Sequence, residues 1–182
     1  MKQALLIGSI VLIPAVCIVA GERHAGGGSV AVASAYGIFD GGARSQRELI
    51  DAFLQALERN DGHALRRLRV TESEYRDVII PGNVPPGQPS RDLATTWLGY
   101  AWANLNDRSI VHEQRLLGDY GGRRLSLEQA SFEDGERTYA GYTAYRQLRL
   151  KVRDSGGTER ELRTGSIAEV AGTYKFISFI RD

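Results

Sequence analysis

The feature that most limits what this chain can fold into is a change of hydrophobic period near Gly122. Upstream, apolar residues recur at helical spacing. In "SQRELIDAFLQALERNDG", Leu49, Ile50, Phe53, Leu54 and Leu57 fall on one stripe, the signature of an amphipathic helix. Ser45 followed by Glu48 is a capping box that satisfies the first amides of that helix, and Asn60-Asp61-Gly62 stops it. "HALRRL" reads as a short second helix. Thr71 and Glu74 form another box opening "TESEYRDVII", which Pro81 ends. After the turn-rich "GNVPPGQP", Ser90 is placed to cap a helix through "RDLATTWLGYAWANLN", with Leu93, Trp97, Tyr100, Ala101 and Leu105 as its apolar face. Downstream of Gly122 the period is two, and "RRLSLEQASFE", "YAGYTAYRQLRLKVRD", "ERELRTGSIAEV" and "TYKFISFI" read as four strands. Asp154-Ser155-Gly156-Gly157 and Ala171-Gly172 are the turns before the third and fourth. Helices followed by an antiparallel sheet predict an α+β fold.

The N-terminus carries a targeting pattern. Lys2 precedes an uncharged apolar run from Ala4 to Ala20, and Val19-Ala20-Gly21 is a small-residue cleavage site. Residues 1–21 are therefore expected to be a signal peptide for export to the periplasm. The alternative is an anchor holding the chain in the inner membrane by residues 4–20, the one membrane contact expected. A lipidated Cys17 ranks third, since Pro14-Ala15-Val16 is a poor lipobox. Cys17 is the sole cysteine, so a cleaved form has no disulfide and no thiol chemistry. Residues 22–44, small and Gly-rich, read as a flexible linker with a short ordered piece at Tyr36–Phe39. Residues 45–182 read as a single domain. The formal net charge of +1 falls to zero once Lys2 is removed, which gives no concentrated positive field for nucleic acid.

The helix break in "LERNDGHAL" and the closing hairpin "GSIAEVAGTYKFISF" resemble the nuclear transport factor two-like (SnoaL-like, cystatin-like) superfamily. The resemblance implies a curved antiparallel sheet wrapped around helices as a cone with one open mouth. It also implies that the last strand lies within the sheet, which would account for apolar residues on both its faces. Members of that superfamily include isomerases, dehydratases, hydrolases and binding modules, so the fold leaves function open.

Catalytic grammar is sparse. His63 and His112 are the histidines within residues 45–182, no dyad accompanies either, and neither a zinc motif nor a phosphate loop is present. No cofactor is expected. Alternation in "GYTAYRQLRLKV" places Arg146 on the face of Tyr142, Ala144, Leu148, Leu150 and Val152. An inward guanidinium needs a partner. One reading pairs Arg146 with Asp77 or Glu74. Another has Arg146, Gln129 and Thr164 line a pocket with Tyr142, Tyr75 and Trp97, to hold a small polar or anionic ligand. The function expected is an exported, non-catalytic module binding a small ligand or an envelope protein, with room for a homodimer. The alternative is a lyase or isomerase using an interior carboxylate with Tyr75 or Tyr142.

Overall fold

The computed structural model describes residues 36–90 and 94–181. The expected signal or anchor segment, Cys17, and Leu93 lie outside the described residues. Helix α1 (Gln46–Glu58) opens as its sequence dictates, with the Ser45 side chain accepting from the Glu48 amide. The Glu48 carboxylate reaches one residue further back than a reciprocal box requires, to the Arg44 amide at 2.9 Å. Asp61 caps α2 (Gly62–Arg67). Thr71 and Glu74 form a complete capping box on α3 (Glu72–Glu74), which runs into a π-helical turn, Tyr75–Ile79, and a last turn, α4 (Ile80–Gly82). Helix α5 (Thr95–Tyr120) is the longest element, about 39 Å at 1.5 Å per residue. Its N-cap is Ala94, so Ser90 does not start it. Among the described residues no helix is long and apolar enough to cross a membrane.

Among the described residues seven strands replace the expected four: β1 (Leu125–Phe132), β2 (Glu136–Thr138), β3 (Thr143–Tyr145), β4 (Leu148–Asp154), β5 (Glu159–Thr164), β6 (Ile167–Val170) and β7 (Thr173–Phe176). They form two antiparallel sheets, ordered β1-β4-β5 and β2-β3-β6-β7. Each of the two longest predicted strands breaks in the middle, giving one half to each sheet. The first breaks at Arg146-Gln147, where Gln147 adopts φ 56°. That left-handed geometry is uncommon for a side-chain-bearing residue and turns the chain. The second breaks at Gly165-Ser166, where the backbone carbonyls of Ser178 and Ile180 press so close that a Cβ on Gly165 would lie 2.2 Å from Ser178 O. The β6–β7 hairpin turns on Ala171 and Gly172, both at positive φ, as tight hairpin turns require.

Two apolar clusters result. The larger joins α1, Leu65 and Leu116 to Leu148, Leu150, Val152, Leu162 and Ile167, around the mutually tilted rings of Phe53, Phe176 and Phe179. The smaller lies around Ala144, Ala168 and Val170, where Val78 and Ile79 of the π-helical turn pack. Small residues at 144 and 168 let that helix approach, and Gly82 and Gly141 let its end reach the β2–β3 turn, backbone against backbone.

This architecture corrects the expectation for the last strand. β7 is the end strand of its sheet, and its outer edge is covered by bridges to Ala43 and Arg69, which leaves little edge open to other chains. Both its faces are buried because Phe176 enters the larger cluster and Lys175 points to the opposite side. The bridge at Ala43, with Phe39 buried in the smaller cluster, also places ordered chain inside the stretch read as a linker. The packed domain starts upstream of Ser45.

Candidate ligand-binding site

The six residues expected to line one pocket are dispersed. Arg146 stands at the break between β3 and β4, 39% exposed, and donates to Asp134 in the β1–β2 turn at 3.1 Å. Gln129 is exposed, because a bulge at Glu128 shifts β1 by one residue and pairs Gln129 with outward-facing Lys151. Thr164 is fully buried opposite Leu148, and its hydroxyl finds no partner among the described residues. Tyr142 and Tyr75 do meet in the smaller cluster, where Tyr142 stacks on Tyr139 and Tyr75 packs on Trp102. Burial raises the phenol pKa of both. Trp97 is 49% exposed and Tyr100 71%, so the outer face of α5 carries the aromatics assigned to its inner one. The inner stripe instead runs through Trp102, Leu105, Asn106, Ser109, Glu113 and Leu116.

A cavity among the described residues lies elsewhere. A trough of about 600 Å³ runs along the C-terminal half of α5. One wall is the helical stripe His112, Arg115, Leu116, Asp119 and Tyr120, whose spacing of three and four puts them on one face. The second wall is Glu161 and Arg163, alternate residues on the face of β5 opposite buried Leu162. The third is Phe179 and Arg181 in the C-terminal segment that Gly165 admits. The walls are stitched at both ends: the Phe179 amide donates to Ser109 Oγ at 2.9 Å, and the Tyr120 hydroxyl donates to the Glu161 carbonyl at 2.9 Å. Ser109 and Tyr120 are three turns apart, so the trough is roughly 16 Å long.

Its charges divide into two groups. Glu161 accepts from Arg149 and from Arg163 Nε, and those bonds hold its carboxyl below the usual carboxylate range. Arg163 also reaches Glu133 at 3.4 Å. These side chains neutralise one another. Arg115 and Arg181 form no ion pair or hydrogen bond with any described residue, and Asp119 is the single acid in the trough similarly uncommitted.

Two further buried polar groups have structural roles. Glu74 (5% exposed) accepts from Lys175 Nζ (3% exposed) at 2.8 and 3.0 Å, and from the Asp40 and Thr71 amides at 2.7 Å each. Both carboxylate oxygens are saturated. Glu113 joins α5 to α2 through Arg66 at 3.2 Å and faces buried Arg69, whose guanidinium lies over the Phe179 ring. Burial raises the Glu113 carboxyl against the pull of both arginines and lowers Arg69. Glu113 Oε2 and Arg69 Nε have no partner among the described residues.

The helix expected through Asn106 stops short of the trough residues of α5, and nothing local in the sequence marks their meeting with β5 and the chain end. Among the described residues no group of three or more His, Cys, Asp or Glu side chains is placed to hold a metal ion. Comparison of the chain with protein families, curated proteins and solved structures finds no match.

Proposed function

We propose that the protein is a non-catalytic binding module, exported on residues 1–21, that takes a small ligand in the trough between α5, β5 and the C-terminal segment. The observation that carries this reading is a cavity braced at both ends, by Ser109 and Tyr120, that keeps two arginines without partners among the described residues. Rigid walls with a few uncommitted polar groups are how small-molecule sites are built. The resemblance to the nuclear transport factor two-like cone is supported by the two strand pairs, β3–β4 and β5–β6, that pass from one sheet into the other around α1. The lyase or isomerase alternative is weakened because Asp77 is surface-exposed and paired with Arg76, while Glu74 is saturated.

Native mass spectrometry of the protein incubated with envelope extract tests the reading. A retained small molecule is expected, and it should be lost in an Asp119→Trp variant that fills the trough. Equal retention by that variant would place the ligand elsewhere. A second reading, an envelope protein or a second copy as partner, is favoured by one observation: Trp97, Tyr100 and Val111 lie exposed along one stripe of α5. Crosslinking that survives Trp97→Ala/Tyr100→Ala would rule that stripe out.

A further inference from the structure

We infer that the ligand of the trough is an organic oxyanion, a carboxylate or phosphate monoester carried on an aromatic or aliphatic body. The inference rests on the trough being the binding site and adds the chemistry it selects. Of the charged groups lining it, Glu161 and Arg163 are committed to each other and to Arg149 and Glu133. Among the described residues the uncommitted groups of the trough are two guanidiniums, Arg115 and Arg181, and one carboxylate, Asp119, so the charge these residues leave for a ligand to meet is positive. Arg115 belongs to the helix wall and Arg181 to the C-terminal wall, which lets an oxyanion be held from two sides. A guanidinium fork matches carboxylate and phosphate oxygens two at a time. The body of the ligand meets a narrower surface: half-buried Tyr120 lines the trough, backed by Leu116 and Phe179, which belong to the larger apolar cluster and are themselves buried. Phe179 is fixed there by the hydrogen bond its backbone N–H donates to Ser109 Oγ, by Phe53 and Phe176, and by Arg69 behind it. A cavity of about 600 Å³ suits a ligand of one or two rings.

Isothermal titration of the full chain with four probes tests this: phenyl phosphate, benzoate, benzyl alcohol and inorganic phosphate. Phenyl phosphate or benzoate should bind one to one, at least tenfold more tightly than benzyl alcohol, which lacks the charge, and than inorganic phosphate, which lacks the body. Arg115→Gln/Arg181→Gln should weaken that binding at least tenfold and leave the melting temperature unchanged, since neither side chain bonds to another described residue. Benzyl alcohol binding as tightly as the anions, with Asp119→Trp abolishing both, would overturn the oxyanion and leave the trough as the site. Anion binding that the double arginine variant retains, or no binding by any probe, would overturn the inference itself.

Discussion

Replacing Lys175 by Met removes one half of a pair buried on both sides, at 3% and 5% exposure. The Met side chain fills the space of the lysine stem, so packing is nearly kept and the loss is electrostatic. Glu74 would retain its bonds from the Asp40 and Thr71 amides at 2.7 Å but would lose its counter-charge inside the smaller cluster. Breaking a buried pair on one side costs about 3–5 kcal/mol, and the two surviving amide bonds put Lys175→Met at the lower end, about 3 kcal/mol. With a urea slope of about 1–3 kcal/mol/M for a small domain, the unfolding midpoint should fall by roughly 2 M. Glu74→Gln should cost at least as much, because an amide NH₂ must then face one of two backbone N–H donors. Replacing both, as Glu74→Gln/Lys175→Met, should cost less than the sum of the single changes by about 2 kcal/mol. The Asp40 amide should exchange faster in all three variants, since Glu74 and Lys175 tie that segment down. A Lys175→Met protein within about 0.5 kcal/mol of the parent would refute the reasoning.

Three further outcomes follow from the same contacts. Burial raises the Tyr142 phenol above its ordinary value of about 10, so the unfolded chain releases that proton first and stability falls as pH climbs past 10. Tyr142→Phe should flatten the alkaline limb of a denaturation series, and an unchanged limb would count against it. The raised Glu113 carboxyl contributes stability below its ordinary value of 4.5 that is lost as pH rises through the higher folded value. Urea midpoints of Glu113→Gln should therefore climb more steeply with pH above about 4.5 than those of the parent. Gly165→Ala places a methyl 2.2 Å from Ser178 O and should cost about 1–3 kcal/mol, with faster exchange at the Phe179 amide.

What could be read from the sequence was local. The starts of α1 and α3 follow from Ser45 and Thr71, whose side chains bond to amides three residues away. The hairpin turns follow from Asp154, whose Oδ1 accepts from Gly156 and Thr158, and from Ala171-Gly172. What could not be read depends on distant chain. Alternation put Arg146 with Tyr142 and Leu148, yet those two residues lie in different clusters because Gln147 turns the strand between them. The bulge at Glu128 moved Gln129 outward by the same logic. Helix α5 was assigned the wrong face because its buried side carries Asn106, Ser109 and Glu113, which meet Arg69, the Phe179 amide and Arg66. Hydrophobic spacing has no means of marking polar residues whose partners arrive from other elements. The trough depends on that same stitching and was hidden for the same reason.

The account stands most directly on where a small anion binds. Amide chemical shifts of the protein titrated with phenyl phosphate would show it. The account predicts saturable shifts confined to Arg115, Asp119, Tyr120, Glu161, Phe179 and Arg181. Shifts centred on Arg146 and Asp134, or on Trp97 and Tyr100, with the trough unmoved, would contradict it.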